Sequence, residues 1–204
     1  MGKQQYHQTR RAESAQHTRQ RILAATRTCL TNTPLLALSL DAIAQEARVA
    51  RSTIYDIFGS RLGLLQALEQ DVLQRGGFED IQAAFALSDA RATLEKTLAA
   101  SVRFNLSERV VLRALTLQAL INPDASAIFR ELMDGRVGGM KHLAHLLAEQ
   151  GHLRADVSVE EAGDILSLLT DFALFDQFST ERGQSPEGVL RRLELLARSV
   201  LIEG

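Results

Sequence analysis

Residues that staple, break or anchor a fold are scarce in this chain. One cysteine, Cys29, stands among 204 residues. No disulfide can form within the chain, and a lone thiol is more often small core filler than a nucleophile. There are three prolines, at 34, 123 and 186, and each stands where a helix can begin. No apolar run approaches the roughly 18 residues of a membrane span. The N-terminus is polar and lacks the apolar core of a signal peptide, so the chain reads as cytoplasmic with no membrane partner. Alternating β-branched runs are few, which argues against a sheet. No phosphate loop, nucleophile elbow, metal-protease pair or paired-cysteine motif occurs, so neither a catalytic residue nor a cofactor is expected. His142 and His145 share a helical face with His152 nearby, but no cysteine or clear carboxylate completes a ligand set, and no metal is expected.

What remains is ordinary for a globular protein: 46% apolar and 24% charged residues. The net charge of −2 hides an asymmetry. Residues 1–75 carry ten Lys and Arg against six Asp and Glu, and the remainder carries thirteen against nineteen. A basic N-terminal third points to a polyanionic partner at that end, although uneven surface charge would look the same. Capping signals recur. Asn122-Pro123 and Ser185-Pro186 place a capping residue before a proline, Ser158 and Glu161 have the capping-box spacing, and Gly151 can end a long helix. Periodicity predicts about nine helices, over 18–31, 39–47, 51–58, 60–75, 89–105, 108–121, 124–150, 158–179 and 186–202, with 76–88 ambiguous. The expected class is all-α: an arm over 1–17, a three-helix helix-turn-helix domain over 18–75, and a helical bundle over 76–204. The arm holds Lys3, Arg10 and Arg11. Both a disordered terminus and a minor-groove arm fit it.

The helix-turn-helix follows from spacing. Ile22, Leu23, Thr26, Cys29 and Leu30 form the inner face of a first helix, which Thr31-Asn32-Thr33-Pro34 breaks. Ser39 caps a second helix with Leu40, Ile43, Ala44 and Ala47 inside and Asp41 in its first turn. The chain turns within Arg48-Val49-Ala50 into a third helix anchored by Ile54 and Phe58. Arg51, Ser52, Tyr55 and Asp56 then face outward, with Thr53 to one side. The third helix of such a unit enters the major groove of double-stranded DNA. Arg51 can grip guanine or phosphate, Ser52, Thr53 and Tyr55 offer short or rigid donors, and Arg61 suits a phosphate. A generic helical corner with solvated polar groups has the same spacing.

From Thr18 to Leu73 the chain resembles the N-terminal domain of the TetR family of bacterial regulators. The resemblance rests on Arg21-Ile22-Leu23-Ala24-Ala25, on Ser39 through Ala47, on Val49, on Ser52-Thr53-Ile54-Tyr55, on Phe58, and on Arg61 followed by Leu64-Leu65. It implies a homodimer that reads a palindromic operator and, most commonly, represses until a ligand binds. It also implies that Ser39 and Leu40 meet the DNA backbone, that Arg51, Ser52 and Thr53 approach bases, and that Tyr55 and Arg61 hold phosphates. Two positions depart from the family pattern. Glycine is usual at position 48, where the turn favours positive φ, and Arg48 stands there instead, either altering the turn or serving a phosphate. Lysine is commoner where Arg61 stands.

Seven of the eight phenylalanines lie in the C-terminal part. A bundle core accounts for most of them. Phe85, Phe104, Met133, Met140 and Phe172 are candidates for the lining of a small-molecule effector site, which would suit a largely apolar ligand. Gly135, Gly138 and Gly139 interrupt a helical pattern, and both a kink and a close approach beside a cavity fit them. Two wide apolar stripes look like the family's dimerisation pair, with Ile165, Leu166 and Leu169 on one helix and Leu190, Leu193, Leu196 and Ala197 on the other. A DNA-binding dimer without a ligand and a transcriptional activator remain open alternatives.

Overall fold

The computed structural model describes the backbone of residues 2–33 and 38–202, with side chains from residue 13 onward. Among these residues the chain is helical, with one isolated antiparallel bridge between Leu153 and Ile202. The elements are α1 (Gly2–Asn32), α2 (Leu40–Ala47), α3 (Arg51–Phe58), α4 (Arg61–Gly76), α5 (Phe78–Phe85) and α6 (Ala90–Ser107). They continue with α7 (Arg109–Ala119), α8 (Pro123–Glu149), α9 (Val159–Leu169), α10 (Phe172–Asp176) and α11 (Pro186–Leu201), with a π-turn over Gln177–Glu181. None of the described helices is long and apolar enough to cross a membrane.

Two expectations change at the level of elements. The arm over 1–17 is drawn into α1, which runs from Gly2. No proline precedes Ile22, so nothing stops the helix from propagating backward from its anchored end. The side chains of Lys3, Arg10 and Arg11, and all of Pro34, lie outside the described residues. The helix expected over 158–179 is split. Thr170 ends α9, and Asp171 opens α10 by accepting from the amide of Ala173. The cause is Arg136 of α8, whose guanidinium donates to the Ser167 carbonyl, to Thr170 Oγ1 at 3.2 Å and to Asp171 Oδ2 at 3.0 Å. This half-buried cation takes the Ser167 carbonyl, a backbone acceptor that the next helical turn would otherwise use. Around Gly135, Gly138 and Gly139 helix α8 is unbroken.

Contacts divide the chain into two compact units, and the division is not contiguous in sequence. The first joins Met1–Asp71 to Arg113–Phe129, and the second joins Val72–Leu112 to Arg130–Gly204. A single boundary near residue 75 therefore misses the placement of 113–129.

In the first unit, Ile22 and Leu30 of α1, Ile43 and Ala47 of α2, Ile54 of α3, and Leu64 and Leu68 of α4 are buried. Each large side chain in such a core contributes about 1.5–3 kcal/mol through burial. A mostly buried ion pair, Arg27 to Asp71 at 2.9 Å, ties α1 to α4. Helix α4 begins very close to the end of α3. A methyl group on Gly63 would lie 2.1 Å from the Phe58 carbonyl oxygen, so only glycine fits there. Cys29 is half-buried in α1, and burial, with a smaller push from Glu46, raises its thiol above the ordinary value. That makes it a poor nucleophile. Asn122 caps α8 by accepting from the amides of Asp124 and Ala125.

The second unit is organised about α6, against which α5, α10 and α11 pack. Because it is covered on several sides, α6 buries polar residues as well as apolar ones: Thr93, Thr97, Ser101 and Asn105 lie within the unit. The short 86–89 connection turns α6 back along α5, and Arg103 pairs with Asp80 at 2.9 Å across the pair. Gly76, just before α5, admits the ring of Phe104, since a methyl there would meet the ring at 2.3 Å. Ser158 and Glu161 form the capping box at the start of α9, and Ser185 caps α11 with Pro186 in its first turn.

Candidate nucleic-acid interface

The candidate interface is built from α2, the turn after it, α3 and the first turn of α4. Ser39 stands in extended conformation and accepts from the amide of Ala42 at 3.4 Å. Leu40 faces inward and is buried. Its side chain therefore belongs to the core, and only its backbone, at the helix start, remains for a phosphate. Arg48 ends α2 at φ 53° and ψ 49°, the left-handed region. The amide of Val49 donates to the Ala44 carbonyl and that of Arg48 to the Gln45 carbonyl, which is the Schellman pattern with a non-glycine residue at its left-handed position. An L-residue pays about 1–2 kcal/mol there. The cost is met from α1, where Arg21 donates from Nη2 to the carbonyls of Ala47 at 2.6 Å and Arg48 at 3.2 Å. The turn thus keeps the shape that glycine would allow, and the Arg48 side chain stays exposed.

Helix α3 buries Ile54 and half-buries Ile57 and Phe58. Arg19 of α1 lies over the Phe58 ring, 4.8 Å from its centre. Arg51, Ser52, Tyr55 and Asp56 are exposed and Thr53 is half-buried, as the spacing predicts. Arg51 is the most engaged of them. Its Nη1 donates to both carboxylate oxygens of Asp41, at 3.1 and 3.0 Å, and its Nη2 to the Tyr55 hydroxyl at 3.4 Å. Tyr55, then Asp41, hold the guanidinium above its ordinary range, so it stays cationic. Arg61 is half-buried at the start of α4, with Nε 3.8 Å from Asp124 of the 113–129 segment. By sequence, Asp41 stands out only as a first-turn anion and Asp124 not at all. Each meets its arginine only through the fold, across 10 and 63 residues of chain.

In the second unit the five effector-site candidates are not all brought together. Met140 and Phe172 are buried, while Phe85, Phe104 and Met133 are half-buried. Phe85 lies against Gly139 of α8 and stacks on His142, with ring centres 6.0 Å apart. Phe104 sits at the other end of the α5–α6 pair, about 10 Å along the helix axis. Two polar side chains were missed. The hydroxyl of Thr97 is fully buried without a hydrogen-bond partner, and so is Nε of Arg136. Burial pushes the Arg136 guanidinium below its usual range, and Asp171 partly restores it. The Arg103–Asp80 register places Phe85 level with Thr97. Among the described residues no three His, Cys, Asp or Glu side chains gather as a metal site requires.

The expected dimer residues also divide. Leu166, Leu169, Leu193 and Ala197 are buried in the protomer's own core, Ile165 and Leu190 are half-buried, and Leu196 is exposed. The outward apolar side of α9 and α11 is instead Leu168, Leu195, Leu196 and Val200, with Leu168 68% and Leu195 64% exposed.

Residues 22–68 match the family model of the bacterial regulatory proteins of the tetR family. Over that stretch the chain is similar to the N-terminal domain of the TetR family. The match supports reading this part of the chain as the DNA-binding part of a transcriptional regulator. No curated protein matches it. Among solved structures, a TetR-like transcriptional regulator from Rhodococcus sp. is similar at 22% identity with a TM-score of 0.65, covering 89% of this chain and 94% of that one. NalD of Pseudomonas aeruginosa, the secondary repressor of the MexAB-OprM multidrug efflux pump, is similar at 20% identity and a TM-score of 0.70, covering 93% and 98%. SmeT in complex with triclosan is similar at 13% identity and a TM-score of 0.72, covering 92% of each chain. At these identities the likeness speaks for the TetR fold.

The Arg48 turn yields a prediction. Arg48→Gly removes about 1 kcal/mol of backbone strain, which raises the unfolding midpoint by about 2–4 °C, and it removes an exposed cation from the candidate interface. Thermal unfolding and DNA titration of the variant check both. A lowered midpoint would show that the left-handed turn carries no strain.

Proposed function

We propose that the protein is a homodimeric repressor that holds a palindromic operator with α3 in the major groove and lets go when a small molecule enters the second unit. The observation that carries the DNA-reading half is the exposed row of Arg51, Ser52 and Tyr55 on α3, with Arg61 opening the next helix. In this reading Arg51, Ser52 and Thr53 approach base edges, and Ser39, Arg48, Tyr55 and Arg61 serve phosphates. Two such helices read successive half-sites when they stand about 34–36 Å apart. The dimer reading is supported by the uncovered apolar side of α9 and α11, a pair that meets a symmetry mate as a four-helix interface.

The repressor and effector readings draw support from the fold that NalD and SmeT share with this chain. An effector acts only through its differential affinity for the two spacings of the recognition helices. The apolar ligand expected from sequence is amended by Thr97 and Arg136, two buried donors. They suit a molecule with an apolar body and one acceptor group, such as a phenol oxygen or a carbonyl. Phe85 and Met140 would meet the body and Thr97 the oxygen.

Three measurements test these assignments. Tyr55→Ala and Arg61→Ala each weaken operator binding, and each lowers the slope of affinity against salt by about one phosphate contact; unchanged titrations for both would reject the assignment. Leu195→Glu places charge in the uncovered face and yields monomers in sedimentation, whereas a persistent dimer means that another surface associates. In a thermal-shift panel of hydrocarbons, phenols and carbonyl compounds, an acceptor-bearing compound is expected to stabilise the chain and release DNA. Thr97→Val should weaken that compound about tenfold, the worth of one buried hydrogen bond. Equal affinity for the variant would remove Thr97 from the site.

A further inference from the structure

Arg51 opens the recognition helix, yet its closest partner belongs to the helix before it. Asp41 lies in the first turn of α2 and reaches across the inter-helix turn to Nη1, using both carboxylate oxygens. Tyr55, one turn along α3, receives Nη2 on its hydroxyl and lies under the guanidinium, 5.9 Å from ring centre to Cζ. An arginine side chain in water is spread over many rotamers, and fixing it costs entropy at the moment of binding. Here an acid and an aromatic ring hold it from two sides before DNA arrives. Both partners of the ion pair are exposed, so the pair adds little to folding. Its effect lies in the direction it gives the side chain.

That direction has chemical content. Bidentate reading of guanine needs two parallel N–H donors for O6 and N7. With Nη1 committed to Asp41, the fork that remains is the Nε–Nη2 edge, and Tyr55 yields a weak 3.4 Å contact when a base takes its place. A carboxylate beside the groove also disfavours an alternative pose in which Arg51 swings to a phosphate, because the acid would follow it toward negative charge. We propose that Asp41 is a specificity-determining positioning residue, which aims the free edge of Arg51 at one guanine in each operator half-site. The inference rests on the assignment of α3 as the DNA reader.

The test uses the full-length chain. Wild-type protein selects duplexes from a randomised pool. Its binding, and that of Asp41→Ala, Asp41→Glu and Arg51→Ala, is then measured by fluorescence anisotropy at one salt concentration, against the selected duplex and against duplexes changed at each position in turn. The wild type is expected to discriminate for guanine at one half-site position by ten- to a hundredfold. Asp41→Ala and Arg51→Ala lose most of that discrimination at the same position and keep it elsewhere, and Asp41→Glu restores part of it. Affinity of Asp41→Ala for unrelated duplex stays level or rises a few-fold, since a negative charge is gone. If Asp41→Ala keeps the discrimination and gains the same factor on every duplex, Asp41 merely masks Arg51 and the inference is overturned. If the wild type enriches no sequence at all, the reading of α3 fails, and the inference falls with it.

Discussion

Arg21 grips the carbonyls of Ala47 and Arg48, and the reading surface depends on that grip. The angle between α2 and α3 is set by one left-handed residue, and a left-handed residue with a side chain needs support. The support comes from α1, whose core residues Ile22 and Leu30 anchor it in the same unit. The exposed face of α2 and α3 hangs from this arrangement. Ser39 and Asp41 sit on one side of the turn and Arg51 and Tyr55 on the other, so a change of a few degrees at Arg48 would separate Asp41 from Arg51. Gly63 extends the constraint to α4, whose first turn lies against the Phe58 carbonyl and carries Arg61.

Much of this was legible in the sequence, for local reasons. Caps are short-range, and Ser39, Asn122, Ser158 with Glu161, Ser185 and Gly151 all stand where their spacing placed them. The inner and outer faces of α3 follow from Ile54 and Phe58 alone. Even the uneasy residue at 48 was visible, because the turn demands positive φ whatever stands there. Its remedy was not visible, because Arg21 lies 27 positions away and an arginine on a first helix reads as solvated charge.

The second unit resisted sequence reading for a different reason. Thr93, Thr97, Ser101 and Asn105 recur at helical spacing, which is the mark of a wet face when a helix is covered on one side only. Helix α6 is covered by α5, α10 and α11, so its polar stripe is interior and the rule inverts. The same limitation governs α9 and α11. A wide apolar stripe does not say which of its edges meets the protomer's own core. Leu166 and Leu193 took the inside, and Leu168 and Leu195 were left outside. The break at Thr170 is likewise non-local, since it answers to Arg136, some 34 residues upstream.

The segment 113–129 gives the first unit an unusual heredity. Its residues pack with Met1–Asp71 although the chain visits the second unit before and after them. Helices α4, α7 and α8 each start in one unit and finish in the other, so the two share helices as well as a chain. A gene crossover at residue 75, where the sequence reading divides the chain, would leave the first unit with a foreign 113–129 segment, and a foreign residue would face Arg61 in place of Asp124. A recombinant that exchanges the second unit must therefore carry 113–129 along with Met1–Asp71 to keep the first unit whole. For this chain, inheritance works on the whole sequence, since no single cut separates the two units.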